Sequence, residues 1–379
     1  MENKIYLSSP HMTGNEIKYI QQAINENWVA PLGPNVDNFE KELSNYLDVG
    51  STAVLSSGTA AMHLALILLG VSSGDEVIAP SFTFSASINP IVYQGASPIL
   101  IDSEEETWNM CPDLLEKAIK DRLAKGKKPK AIILVHLYGM PAKIEEIINI
   151  ANKYEIPVIE DAAESLGSKY KNQHTGTFGK FGILSFNGNK IITSSGGGAL
   201  FSNDYEAIRK SRFLATQAKD DAPHYQHSQI GYNYRMSNIV AGIGRAQLEA
   251  INKRVEQRRN VFNFYKTLLK KYDFISFLDE IENNFSNRWL TTITFDFSKT
   301  NTLSLEKIRT TFSKENIETR PLWKPMHLQP IFKNYPAFVN GVSEKLFNNG
   351  LCLPSGSNLT ESQKSRINSV INKTFKKQI

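Results

Sequence analysis

Ala131-Ile132-Ile133-Leu134-Val135-His136 is followed by an amphipathic run from Ile144 to Tyr154 and then by Ile156-Pro157-Val158-Ile159-Glu160-Asp161. The first stretch is β-prone. The second carries its apolar residues three and four apart, as one face of a helix does, and the third reads as a strand again. The alternation extends backwards from there: Thr52 to Leu55, Glu76 to Ala79 and Pro98 to Ile101 read as strands, while Thr59 to Leu69, Phe84 to Tyr93 and Leu114 to Leu123 read as helices. Strands alternating with helices predict a parallel sheet covered by helices, the α/β class. Such sheets collect ligands outside the carboxyl ends of their strands. The turn Ser56-Ser57-Gly58-Thr59 and the acidic end at Asp161 both fall there.

Beyond residue 250 the pattern changes to a long charged helix, Lys253 to Tyr272, and strand-like pieces such as Trp289 to Phe297. The chain of 379 residues therefore reads as a large domain over 1–250 and a smaller α/β domain over 251–379. Hydrophobic residues at 41% and charged residues at 21% are those of a folded globular protein rather than a disordered or membrane one. Net charge is only +5, and the basic groups at Lys125 to Lys130 and Lys373 to Lys377 read as solvated loop and tail charge, not a nucleic-acid footprint. Two cysteines, Cys111 and Cys352, offer neither metal-ligand spacing nor a disulfide framework, which points to a cytoplasmic protein without a metal. Met1-Glu2-Asn3-Lys4 does not open a signal peptide, and Ala60 to Leu69 is too short to cross a bilayer.

Chemistry concentrates in Leu184-Ser185-Phe186-Asn187-Gly188-Asn189-Lys190, which places a lysine just after an apolar strand. An amine in a crowded, partly desolvated site loses its charge more readily than one in water, and the neutral amine is the form that attacks an aldehyde. Gly58 and Thr59 open a helix whose first amides suit a phosphate, although Ser and Thr there also serve as plain caps. Asp161 ends an apolar strand and needs a cationic or hydrogen-bonded partner, for which a protonated ring nitrogen and a helix cap are equal readings. Glu164, one turn on, either faces the same ligand or closes that cap. Gly196-Gly197-Gly198 forms a tight turn beside a cofactor or a plain hairpin loop. Phe82 and Phe84 supply a stacking face or core. Nucleotide loops are excluded, because Asn189 separates Gly188 from Lys190, Gly179-Lys180 is followed by Phe181, and no Gly-x-Gly-x-x-Gly follows the first strand.

A phosphate turn, a carboxylate at a strand end and a lysine beyond it are the parts that hold pyridoxal 5'-phosphate. In this order they resemble the fold-type I pyridoxal-phosphate enzymes, aspartate aminotransferase-like in fold, with a large mostly parallel domain and a smaller C-terminal one. Within that class the chain resembles the DegT/DnrJ/EryC1/StrS nucleotide-sugar aminotransferases over nearly its whole length. The resemblance implies that Lys190 is the Schiff-base lysine, that Ser185, Gly58 and Thr59 bind phosphate, and that Phe84 stacks on the cofactor ring. It likewise implies Asp161 at the ring nitrogen and Glu164 at the ring hydroxyl. Gly231-Tyr232-Asn233-Tyr234-Arg235 resembles the segment that reaches a neighbouring subunit, so Asn233 implies a homodimer with shared sites.

The resemblance is closest to the bacillosamine-pathway members, on Ser9-Pro10-His11-Met12, Ala30-Pro31-Leu32-Gly33, Ile192 to Gly198, Ile317 to Lys324 and Cys352-Leu353-Pro354-Ser355-Gly356. That implies transfer of an amino group from L-glutamate to C4 of a UDP-linked 4-keto-6-deoxy-N-acetyl hexose. Lys190 would serve both as covalent anchor and as proton carrier. Arg320, Trp323 and His327 carry charge and aromatic surface suited to a nucleotide diphosphate or sugar, or form a structural loop. Three alternatives stand beside this. GDP-perosamine synthases usually carry an acidic residue where this chain has Ser195-Gly196-Gly197; the family's sugar dehydratases replace the lysine by histidine; and a regulatory protein would bind the cofactor without turnover.

Overall fold

Ala131, Ile133 and Val135 enter one apolar cluster while Ile132 and Leu134 enter another, so a single strand feeds two cores from its two faces. The computed structural model describes residues 3–300 and 302–375. Met1 and Glu2, and Lys376 and Lys377 of the basic tail, lie outside the described residues. The strands are β1 (Ser51–Leu55), β2 (Glu76–Pro80), β3 (Ser97–Ile101), β4 (Ala131–Val135), β5 (Val158–Asp161), β6 (Lys169–Tyr170), β7 (Gln173–His174), β8 (Phe181–Ser185), β9 (Gly198–Ser202), β10 (Ile275–Phe277), β11 (Asn284–Phe285), β12 (Thr291–Phe295), β13 (Arg320–Pro321), β14 (Ala337–Phe338) and β15 (Gly350–Leu353).

The large sheet runs β1-β9-β8-β5-β4-β2-β3-β14. Its pairs from β8 through β14 are parallel, and only β9 runs against its two neighbours. Helices Pro112–Ala124 and Ile144–Lys153 cover one face, through Leu115, Ile119, Ile144 and Ile147; helix Gly58–Leu68 covers the other, through Met62, Leu64 and Leu66. Burial on both faces is why these strands read as continuous apolar runs. Each fully buried Ile or Leu adds about 1.5–3 kcal/mol of hydrophobic stabilisation.

A second core gathers Val261, Tyr265, Ile293, Phe295, Phe312, Leu351 and Ile367 around the antiparallel sheet β10-β12-β15-β13. Helix Ile251–Leu269 connects the two cores, with Ile251 and Val255 in the first and Val261, Tyr265 and Leu269 in the second. The chain ends cross over. Ile5 packs into the second core, while β14 pairs with β3 and the amides of Asn340, Gly341 and Ser343 all bond to Asp102.

One predicted element differs. Phe84 to Tyr93 is not one helix: Phe84 is extended, Ser85–Ser87 makes a 3₁₀ turn, and a short helix covers Asn89–Tyr93. Pro90 lacks the N–H that a continuous helix would need at that place. Among the described residues no helix is long and apolar enough to cross a membrane.

Candidate active site

Because β1, β5 and β8 point the same way, their carboxyl ends bring together the Ser57-Gly58-Thr59 turn, Asp161 and Ser185 at one edge of the sheet. The start of β9 meets them there. A Cβ on Gly198 would sit 2.3 Å from the Gly58 nitrogen, and one on Gly58 would sit 3.1 Å from Ser185 Cβ. Glycine at both places is what lets the three strand ends close on one another. They enclose a cavity of about 230 Å³ lined by Gly58, Thr59, Phe84, Asp161, Glu164, Ser185 and Lys190, among others.

Ser57 caps helix Gly58–Leu68 by accepting from Ala60 N–H at 3.0 Å, so the positive end of the helix dipole faces the cavity at Gly58 and Thr59. Asp161 accepts from Ser87 Oγ at 2.7 Å and from Ala163 N–H at 3.1 Å, and Thr83 Oγ1 lies 2.9 Å from Ser87 Oγ. The broken helix therefore has a purpose in the geometry: its 3₁₀ turn carries Ser87 to the aspartate. Lys190 Nζ lies 3.6 Å from Glu164 Oε1, with 12% of the lysine side chain exposed. Glu164 also accepts from Tyr138 N–H at 2.7 Å. Burial pushes the Glu164 pKa above the usual carboxylate range, against the pull of Lys190 and the Tyr138 amide.

Aromatic rings form the remaining wall. Lys190 Nζ lies 4.2 Å from the centre of the Trp289 ring, Trp289 stacks on Tyr138 at 6.5 Å, and Tyr138 stacks on Trp323 at 6.2 Å. Phe84 follows at 5.4 Å from Trp323 and is 51% exposed. A second cavity of about 650 Å³ adjoins the first, sharing Asn189 and Trp323 in its lining and adding Tyr6, Leu7, Ser8, Arg320 and Cys352. Trp323 Nε1 is buried and has no hydrogen-bond partner among the described residues.

Of the residues singled out from sequence, Lys190, Gly58, Thr59, Phe84, Asp161, Glu164 and Ser185 share the smaller cavity, and Arg320 and Trp323 line the larger. Arg320 is bound to Glu318 through Nε at 3.0 Å and Nη2 at 2.9 Å. Asn233 is exposed and outside both linings. His327 also stands apart from both: it lies 2.6 Å from Ser81 Oγ and 3.1 Å from Glu344, which makes it a brace at the end of β2. Trp289, Tyr138, Ser87 and Ser8 were not marked by sequence, and no local pattern distinguishes them.

The residues suit pyridoxal phosphate. The cavity offers an amine, two buried carboxylates, a flat aromatic wall and, at the far side, a helix N-terminus with small hydroxylated residues. Together with the mostly parallel sheet, this places the chain among the fold-type I pyridoxal-phosphate enzymes. The model of the DegT/DnrJ/EryC1/StrS aminotransferase family matches residues 10–372, and the chain belongs to that family. It is 54% identical over 377 residues to EpsN of Bacillus subtilis, provisionally named a pyridoxal phosphate-dependent aminotransferase, covering 98% of this chain and 96% of that one. A GDP-perosamine synthase of Escherichia coli O157:H7 is 36% identical over 367 residues, with 97% of each chain covered. Among solved structures, a DegT/DnrJ/EryC1/StrS aminotransferase from Brucella abortus superimposes with a TM-score of 0.88 at 31% identity over 95% of both chains. The protein is a pyridoxal-phosphate-dependent sugar aminotransferase.

Proposed function

We propose that this aminotransferase moves the amino group of L-glutamate to C4 of a UDP-linked 4-keto-6-deoxy-N-acetyl hexose, the bacillosamine-type reaction, as a cytoplasmic homodimer of two-domain subunits divided near residue 250. The observation that carries the sugar-nucleotide reading is the larger cavity. Its volume of about 650 Å³ is lined by Asn189, the residue before Lys190, with a cation at Arg320 and aromatic surface at Tyr6 and Trp323. The unpartnered Trp323 Nε1 on the shared wall is a donor that a sugar hydroxyl or phosphate oxygen would satisfy.

Gly58, Thr59 and Ser185 would hold the phosphate of pyridoxal phosphate, Asp161 its ring nitrogen, Glu164 its hydroxyl and Phe84 its face, and the bound cofactor would supply a carbonyl and an electron sink. The chain's own part is proton movement and orientation. Lys190 Nζ would take a proton from glutamate Cα and deliver it to the carbon that was the cofactor's carbonyl, with the Glu164 carboxylate and the Trp289 face steadying the amine while charged. Asn233 of each subunit would approach the other's phosphate, in keeping with its exposure here.

Support for UDP over GDP comes from Ser195-Gly196-Gly197, where Gly196 and Gly197 line the cofactor cavity and no carboxylate stands beside them in the chain. The test supplies the holoenzyme with glutamate and with UDP- or GDP-linked 4-ketosugars and follows 2-oxoglutarate release together with the mass of the amino sugar. Turnover with the UDP sugar is expected; turnover with the GDP sugar alone overturns the substrate reading.

A further inference from the structure

The carbonyl of Asn189, one peptide before Lys190, accepts two hydrogen bonds, from Ser8 Oγ at 2.6 Å and from Trp289 Nε1 at 2.7 Å. Both donors are held from behind by one guanidinium. Arg258 donates through Nη1 to the Trp289 carbonyl at 2.8 Å and through Nη2 to Ser8 Oγ at 2.8 Å. Arg258 is 1% exposed, lines neither cavity and makes no ion pair among the described residues, and its Nε has no partner. Burying an uncompensated charge is costly, so an arginine kept there without a carboxylate calls for a cause.

We infer that Arg258, Ser8 and Trp289 close a ring of hydrogen bonds that clamps the Asn189–Lys190 peptide and so aims Lys190 Nζ. This rests on the reading of Lys190 as the reacting amine. The donor inventory forces the direction of every bond in the ring. An indole N–H only donates, the single Ser8 proton is spent on Asn189, and the Arg258 fork supplies the remaining donor to each. The Asn189 carbonyl then has both lone pairs engaged, which fixes the orientation of the peptide from which Lys190 departs. Arg258 and Ser8 are positioning residues, while Trp289 also touches the amine, its ring centre 4.2 Å from Nζ. Because Ser8 and Asn189 line the larger cavity, the clamp lies where a sugar nucleotide would rest. Burial and the neighbouring Arg254 bring the Arg258 pKa down to about 9, so the fork stays charged at neutral pH.

The test uses the holoenzyme of four variants: Ser8→Ala, Trp289→Phe (which keeps a ring over Nζ but removes the indole N–H), their double variant, and Arg258→Lys, which keeps the charge but loses the fork. Either donor alone still holds the carbonyl, so each single variant is expected to lower kcat about threefold and the double by about 30- to 100-fold, more than the product of the singles. The pH midpoint of the cofactor's visible absorbance band should move in the double variant while its thermal midpoint stays within a few degrees of wild type. A double variant with wild-type kcat and an unmoved titration midpoint overturns the clamp. Lys190→Ala run in parallel separates the two readings: if it is inactive while the double variant behaves as wild type, the clamp alone fails, and if it turns over, the reading of Lys190 fails with it. Should Arg258→Lys not fold, the Ser8 and Trp289 variants decide the matter by themselves.

Discussion

Glu164 is buried beside a lysine, and burial and these neighbours pull its proton affinity in opposite senses. Burial raises the pKa and wins, with Lys190 and the Tyr138 amide opposing it. An acid that binds its proton more tightly when folded contributes stability below its unfolded pKa and loses it as pH rises through the folded value. In the cofactor-free protein, Glu164→Gln should therefore flatten the loss of thermal midpoint as pH rises above about 4.3, where the reference carboxylate titrates. A loss steeper than wild type would contradict this. Residues of this kind differ in how far sequence exposes them. Lys190, Asp161, Gly58 and Thr59 sit within short runs whose neighbours already imply their setting. Trp289 and Tyr138 sit in runs that imply only a strand and a loop, and their proximity to Lys190 comes from packing between segments far apart in sequence.

At the scale of elements, two joints are testable. The first is the contact of β9 with the turn after β1. Gly198→Ala would drive a methyl to 2.3 Å from the Gly58 nitrogen and push the phosphate-side turn outward; the expected result is cofactor affinity weakened by about tenfold or more, read by titrating apoenzyme with pyridoxal phosphate, equivalent to at least about 1.4 kcal/mol. Unchanged affinity would remove that joint from the account. The second joint is at helix Glu16–Asn25. Burial alone would raise the Glu16 pKa, but the Thr13 and Gly14 amides and the Gln247 side chain outweigh it and bring it down to about 2. A depressed carboxylate contributes stability above its unfolded pKa and loses it as pH falls toward the folded one. Glu16→Gln should cost on the order of 1–2 kcal/mol at pH 7, and the difference from wild type should shrink between about pH 4.5 and 2 in urea unfolding. The alternation of strands and helices from residue 50 to 161 was readable because burial on both faces writes itself into composition. The broken helix at Phe84–Tyr93 was harder to read, since its apolar spacing is helical and Pro90 interrupts it only through a missing donor.

Across the whole molecule, the cavities depend on segments that enter from opposite ends of the chain: Tyr6 to Pro10, the β8–β9 region, and Glu318 to Trp323. This convergence is tertiary, and periodicity within one segment carries no trace of it. Exposed apolar surface at Tyr225 and Ile230, each 83% exposed, lies in the same stretch as Asn233. In the proposed homodimer this stretch would face the neighbouring subunit. Under the proposed homodimer, light scattering at micromolar concentration should give twice the mass of the 42.6 kDa chain. Asn233→Ala should loosen the cofactor by about tenfold without breaking the dimer, the loss of one hydrogen bond to a charged group. A monomeric mass at that concentration would contradict the shared site.

Every part of this account converges on one amine. Reducing the pyridoxal-phosphate-loaded enzyme with borohydride and mapping the peptide that carries the cofactor tests it directly. The account predicts the cofactor on Lys190, and a Lys190→Ala protein that carries none. Cofactor fixed to another lysine, or absent from the wild-type peptide map, would contradict it.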